Sequence, residues 1–137
     1  MELNDLTGIA VDIAFKLHNL YGPGLYEKVY EKLYCYELNK RKINYQNQVC
    51  IDLRHEDILF KNAFKADLIL ENQLLIELKS SKSFYDLHFR QLHTYLKISG
   101  FEVGLLFNFN VAKIKDGIIR VINTETQRGT QRHGEGH

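Results

Sequence analysis

Proline occurs only once, at Pro23, in a chain of 137 residues. No Gly/Ser-rich linker divides the chain either, and the length suits one domain around a single core. No apolar run approaches the ~18 consecutive residues that a membrane span needs. The opening stretch, MELNDLTGIAVDIAF, carries acids and no basic run, so no signal peptide is read there. Cysteine is scarce. Cys35 and Cys50 form neither a CxxC pair nor a zinc spacing, and two reduced, buried thiols of a cytoplasmic protein are expected. Net charge is nearly absent, since 18 Lys and Arg against 17 Asp and Glu leave a formal +1. That excludes a nucleic-acid binder held by bulk charge, so any such contact must come from a local patch.

What is present is a globular balance, 45% hydrophobic and 26% charged, which argues against general disorder. The segment from about Thr126 to His137, TQRGTQRHGEGH, is polar and Gly-rich. We expect a domain over 1–125 and, at 126–137, a disordered tail or an appended expression remnant. Leu6, Ile9, Ile13, Leu17 and Leu20 recur at helical period, with Asn4 or Asp5 as the cap. Gly22-Pro23-Gly24 breaks the chain. A second helix is expected from about Leu25 to Lys42, with a stripe of Tyr26, Val29, Tyr30, Leu33 and Tyr36. Its basic end, Lys40-Arg41-Lys42, suits the helix dipole.

From Gln48 the pattern turns to strands. Val49, Ile51 and Leu53 alternate with polar residues, and Arg54-His55-Glu56-Asp57 reads as a turn into Ile58-Leu59-Phe60. Phe64 to Leu70 and Leu74 to Leu78 follow, and their apolar runs suit strands covered on both faces. Ser83 or Ser81 can cap a third helix, about Phe84 to Ser99, ended by Gly100. Val103 to Phe109 reads as a buried strand, and Asp116-Gly117 as a hairpin turn between Ile114 and Ile118-Ile119. The order gives an α/β fold with a mixed β-sheet flanked by helices.

Three charges sit where charge is costly. Asp67 interrupts one apolar strand, and Glu77 and Lys79 interrupt the next, on one shared face. A buried carboxylate must be paired or bound to metal. Two carboxylates on adjacent strands repel unless a cation lies between them, and oxygen donors on a rigid sheet suit Mg²⁺ or Mn²⁺. Lys79 beside such an ion can orient a water or stabilise charge on an attacked phosphate. The register decides whether the two acids meet. A two-residue loop, Glu71-Asn72, would send Asp67 and Glu77 to opposite faces. A three-residue loop, Glu71-Asn72-Gln73, pairs Leu70 with Leu74 and Asp67 with Glu77. No Asn-Gly or Asp-Gly favours the shorter loop. The competing reading is an acid–lysine ion pair at a sheet end, open to water.

Asp67 on one strand, then Glu77-Leu78-Lys79 on the next, resembles the signature of the PD-(D/E)XK nuclease superfamily. Gly24-Leu25-Tyr26-Glu27-Lys28-Val29-Tyr30 reads G-x-x-E-x-x-Y, and the chain is similar to the bacterial GxxExxY family, a branch of that superfamily. The similarity continues through His88-Phe89-Arg90-Gln91-Leu92, Tyr95-Leu96-Lys97 and Gly104 to Phe109, ending near Lys115-Asp116-Gly117-Ile118. The resemblance implies a restriction-endonuclease-like fold and a metal-dependent phosphodiesterase. Asp67, Glu77, Lys79, Gln91 and Tyr95 would form the catalytic set. Asp67, Glu77, the first-helix acid Glu27 and the Leu78 carbonyl would hold Mg²⁺ or Mn²⁺. Arg90 departs from the small residue expected before Gln91.

Read from the residues alone, Glu27 is also explained as a helix-dipole acid, and Glu31, one turn on, as a solvated one. His88, Gln91 and Tyr95 line one helix face, which is otherwise simply a wet side. His88 is a candidate for substrate contact, a general base or a hydrogen-bonded core histidine. Lys82, Arg90 and Lys97 are candidate phosphate contacts, or else a solvated face. The partner implied is nucleic acid, DNA or RNA, with no membrane. The alternative is a non-catalytic nucleic-acid or protein interaction module on the same fold. A structural or dimerisation role, with a homodimer as the partner, ranks third.

Overall fold

The computed structural model describes residues 1–82 and 85–124, Tyr85 in its backbone only. Helices α1 (Leu3–Tyr21) and α2 (Glu27–Lys40) precede strands β1 (Tyr45–His55), β2 (Ile58–Leu70) and β3 (Leu74–Lys79). Helix α3 (Tyr85–Ser99), strand β4 (Val103–Asn108), a 3₁₀ turn (Ile114–Gly117) and strand β5 (Ile118–Ile122) complete the order. The sheet runs β1-β2-β3-β4-β5. β3 and β4 are parallel and every other pair is antiparallel, so the expected mixed α/β sheet is present. Parallel neighbours cannot be joined by a tight turn, and α3 is the crossover between β3 and β4. The expected tail at 126–137 and Ser83, one of the two residues considered as the α3 cap, lie outside the described residues. Among the described residues, no helix is long and apolar enough to cross a membrane.

The sheet is covered on both faces. Leu68, Leu70, Leu74, Ile76, Leu78, Leu105 and Phe107 pack with Leu6, Ile13, Leu17, Tyr30, Tyr34 and Leu38 of α1 and α2. Ile69, Leu75, Leu106, Ile119 and Val121 pack with Leu92 and Leu96 of α3. Gly104 lets α3 lie close, because a Cβ there would stand 2.9 Å from Leu92 Cδ1. The Tyr34 hydroxyl donates to the Ala10 carbonyl at 2.7 Å and locks α2 to α1.

Several local expectations are corrected. α1 begins at Leu3 with Glu2 at the N-cap and no side-chain cap bond, so neither Asn4 nor Asp5 caps it. Leu20 is exposed, past the end of the buried stripe. α2 starts at Glu27 and ends at Lys40. It buries Tyr30, Tyr34, Glu37 and Leu38, while Tyr26, Val29 and Tyr36 are exposed. The spacing i, i+4, i+7, i+8 is one helical face, and Glu37 belongs to it because Lys16 pairs with its carboxylate at 2.9 Å. Ile58–Phe60 and Phe64–Leu70 are one continuous strand. Cys50 is exposed and Cys35 half-buried, both free. Asp116-Gly117 closes a 3₁₀ turn and not a two-residue hairpin. A Cβ at Gly117 would collide with the Asn108 carbonyl oxygen, so a backbone contact requires the glycine.

Candidate functional site

β2 and β3 pair through Leu70↔Leu74, Ile69↔Leu75 and Leu68↔Ile76. This is the register of the three-residue loop. Its residues Glu71 and Asn72 both take positive φ, 50° and 54°, and the Gln73 amide donates to the Leu70 carbonyl at 2.9 Å. The next pair in this register is Asp67 with Glu77, and there the ladder stops. Side chains replace it. The Asp67 amide donates to Glu77 Oε2 at 3.1 Å, and the Leu78 amide donates to Asp67 Oδ2 at 2.8 Å. Two carboxylates therefore fill the fork where β2 leaves β3.

Their electrostatics follow from that crowding. Glu77 is 4% exposed. Burial, then the Asp67 carboxylate, push its carboxyl up to about 8. Asp67 is raised too, mainly by burial, with the Leu78 amide and Gln48 opposing. Lys79, half-buried two residues beyond Glu77, lowers both acids. The pair thus holds a proton to near-neutral pH because burial and mutual repulsion outweigh the nearby Lys79 charge.

Glu27 opens α2 and comes to the same place from the other layer. Its Oε2 accepts the Ser80 amide at 3.1 Å, directly after β3, and its charge is among those felt by Glu77. The Ser80 hydroxyl donates to the Leu25 carbonyl at 3.0 Å. Tyr30 secures this loop from below: its hydroxyl donates to the Gly22 carbonyl and accepts from the Leu25 amide at 3.4 Å. Its ring stacks on Phe109 with centroids 4.1 Å apart. In the Gly24–Glu27–Tyr30 motif, then, the tyrosine is structural and the glutamate faces the fork.

α3 supplies the opposite wall. Tyr95 stacks on Phe64 of β2, with centroids 3.8 Å apart and planes 6° from parallel. Burial raises its hydroxyl pKa, and Glu77 and Asp67 raise it further, while Gln91 hydrogen-bonds it. His88, on the same helical face, is lowered by burial and then by Lys79. The structure thus brings Asp67, Glu77, Lys79, Gln91, Tyr95 and His88 to one region. Lys82 is exposed just after β3. Arg90 and Lys97, both exposed, are seven residues apart on α3 and share a face turned about 100° from Gln91.

One site residue went unread in the sequence and one was misread. Gln48 of β1 stands opposite Asp67, and its Nε2 donates to Glu31 Oε1 at 2.7 Å and to Asp67 Oδ1 at 3.3 Å. Glu31 is half-buried and also accepts from Asn47 Nδ2 at 3.2 Å. This corrects the expectation of a solvated acid. A groove of about 900 Å³ runs between α2 and β1, lined by Lys28, Glu31, Lys32, Gln48 and others, and it ends at Asp67.

The donor set suits a hard divalent cation. Asp67 and Glu77 offer oxygens only, and their mutual repulsion is the charge such an ion would relieve. Among the described residues, no three His, Cys, Asp or Glu groups converge as a ready cage, and Glu27 Oε2 is turned to the Ser80 amide.

The family model of the PD-(D/E)XK nuclease superfamily matches residues 4–121. Among solved structures, the crystal structure of SSO0001 is similar with a TM-score of 0.54 at 20% identity, over 77% of this chain and 56% of that one. At that identity the likeness concerns the fold, and the chain spans little more than half the length of that structure. No curated protein matches.

Proposed function

The chain belongs to the PD-(D/E)XK nuclease superfamily, and from that premise we propose that it is a metal-dependent phosphodiesterase hydrolysing nucleic-acid backbones, in the GxxExxY branch that Gly24, Glu27 and Tyr30 resemble. One observation carries the reading: Asp67 and Glu77 meet across an opened ladder. Lys79 lies on the Glu77 face of β3.

Asp67 and Glu77 would hold Mg²⁺ or Mn²⁺, with Glu27 as the third acid and the Leu78 carbonyl as a backbone donor. When bound, such an ion supplies Lewis-acid polarisation of a phosphate and a more acidic water. Lys79 donates to the attacked phosphate or the incoming water and offsets the charge that develops there. Tyr95, held by Phe64 and Gln91, orients the substrate or Lys79. His88 is the further candidate for substrate contact at this wall. Lys82, Arg90 and Lys97 contact flanking phosphates. The groove beside Asp67 is of nucleotide size.

The test is a screen of the purified chain against labelled DNA and RNA with Mg²⁺ and with Mn²⁺. Metal-dependent cleavage that disappears in Asp67→Ala supports the reading. The second reading, a non-catalytic binding module, is favoured by the near-zero net charge and by the lack, among the described residues, of three converging metal-ligating groups. Nucleic-acid binding without cleavage under either metal would put it first.

A further inference from the structure

Gln48 sits where two strands change phase together. On β2, Leu68 and Leu70 face α1 and α2 while Ile69 faces α3. Strict alternation would send Ala66 and Phe64 to the α1/α2 side, yet both pack on the α3 side. β1 does the same, with Tyr45 on the α1/α2 side and Val49 and Ile51 on the α3 side. The ladder pairs Asn47↔Leu68 and Val49↔Ala66 enclose the change, so the residues at which it happens are Gln48 and Asp67. Gln48 takes a φ of 52°, a conformation unfavourable for a residue with a long side chain and seldom kept without a reason.

The reason is visible in the side chain. A glutamine amide has two donor hydrogens. One is directed at Glu31 and the other at Asp67. Both acceptors are carboxylates, so both bonds are charge-assisted. Asp67 Oδ2 is already held by the Leu78 amide, and Gln48 engages the other oxygen. Glu31 in turn is fixed by α2 and by Asn47.

We propose that Gln48, anchored by Glu31, is a positioning residue that fixes the orientation of the Asp67 carboxylate for cation binding. This rests on the reading of Asp67 as a metal ligand. The strained backbone at Gln48 is the cost of bringing its amide from β1 to an acid that alternation alone would leave ungoverned. Partners of this kind, which hold ligands and do not touch the ion, typically change metal affinity by about 10- to 100-fold.

The experiment is a Mn²⁺ titration of the full chain, read by the ion's own EPR signal and needing no substrate. Gln48→Gly removes the amide and accepts the positive φ freely, so relief of the backbone offsets part of the two lost hydrogen bonds. At equal folded fraction we expect Mn²⁺ affinity to fall about tenfold. Gln48→Asn tolerates the same backbone but is one methylene too short to span both carboxylates, and it serves if the glycine variant fails to fold. Wild-type affinity in the folded variant overturns the proposal, since it would leave Gln48 with a purely conformational role. Asp67→Ala is run alongside. Undiminished Mn²⁺ binding there shows that the metal reading has failed, and the proposal falls with it for a separately identified reason.

Discussion

The two faces of β3 make opposite use of the same six residues. Leu74, Ile76 and Leu78 are buried against α1 and α2 and carry nothing but apolar surface. On the other face Leu75 is equally buried, but Glu77 and Lys79 follow it toward the strand's end. The first face stabilises the fold. The second gives up part of that stabilisation by burying a carboxyl beside another carboxyl. The cost falls where β2 leaves β3, so the fork gives up ladder pairing beyond Leu68↔Ile76 but gathers polar groups that can act on a ligand.

The largest expected effect tests the cost of the second face. The Glu77 carboxyl lies near 8 in the folded chain against 4.5 in the unfolded one. Between those values the folded state binds more protons, so stability is greatest below pH 4.5 and falls as pH rises to about 8. At ~1.4 kcal/mol per unit, the fall is on the order of 5 kcal/mol. The raised Asp67 adds in the same direction. Denaturant melts from pH 5 to 8 in EDTA should show the loss, Glu77→Gln should remove most of it, and millimolar Mg²⁺ should flatten it by binding the ionised pair. A metal-free chain as stable at pH 8 as at pH 5 would contradict the buried pair.

The next effect concerns Lys79. Losing one preorganised donor typically costs about 10²- to 10³-fold in turnover, so Lys79→Ala should lose cleavage by that factor while still binding Mn²⁺. Lysine is a donor and not a ligand for a hard cation. Lys79→Arg keeps the charge but changes its shape, and should not restore full activity. Equal cleavage by Lys79→Ala and wild type at matched folded fraction would make Lys79 a structural charge.

The apolar face should respond in the opposite sense. Leu74 is fully buried at the end of β3 away from the fork. Leu74→Ala should lower unfolding stability by about 3 kcal/mol through the cavity it leaves. The Mn²⁺ affinity of the molecules that remain folded should stay within about twofold of wild type, a reading on the order of experimental scatter in additivity. A large change in affinity would couple the two faces and weaken the contrast between them.

Much of this arrangement was legible because it rests on period and loop length. Alternation placed Glu77 and Lys79 on one face, and the three-residue loop placed Asp67 against Glu77. Gln48 was not legible. Counting from the Glu56-Asp57 turn, where His55 pairs with Ile58, would put Gln46 opposite Asp67. In the structure one β1 residue, Asp52, faces three on β2, Lys61-Asn62-Ala63, and the register moves by two. The Asp52 carboxylate accepts the Asn62 amide at 2.9 Å, and Asn62 takes a φ of 56°. Nothing in a run of polar residues on an exposed ribbon marks such a bulge. The face of α2 was misread for a related reason. Tyr26, Val29 and Tyr36 fit a loose helical stripe as well as Tyr34 and Leu38 do, and only packing against α1 selects between them.

The smallest expected effect is the most discriminating for Glu27. Tyr30→Phe keeps the stack on Phe109 and removes one hydroxyl. The Gly22 carbonyl and the Leu25 amide lose that partner. Gly22 and Leu25 are only half-buried, so water can replace much of what is lost, and the cost should be about 1 kcal/mol. The consequence for the fork is separable from that cost. Leu25 holds the Ser80 hydroxyl, and Glu27 holds the Ser80 amide. Loosening the loop therefore moves Glu27 relative to Asp67 and Glu77. If Glu27 is the third acid at the cation, Mn²⁺ affinity should fall severalfold in Tyr30→Phe at full folding. If Glu27 only complements the helix dipole of α2, affinity should not change, and Glu27→Gln should likewise leave it unchanged. Reading both variants by the same titration decides whether the fork takes its ligands from the sheet alone or from the helix as well.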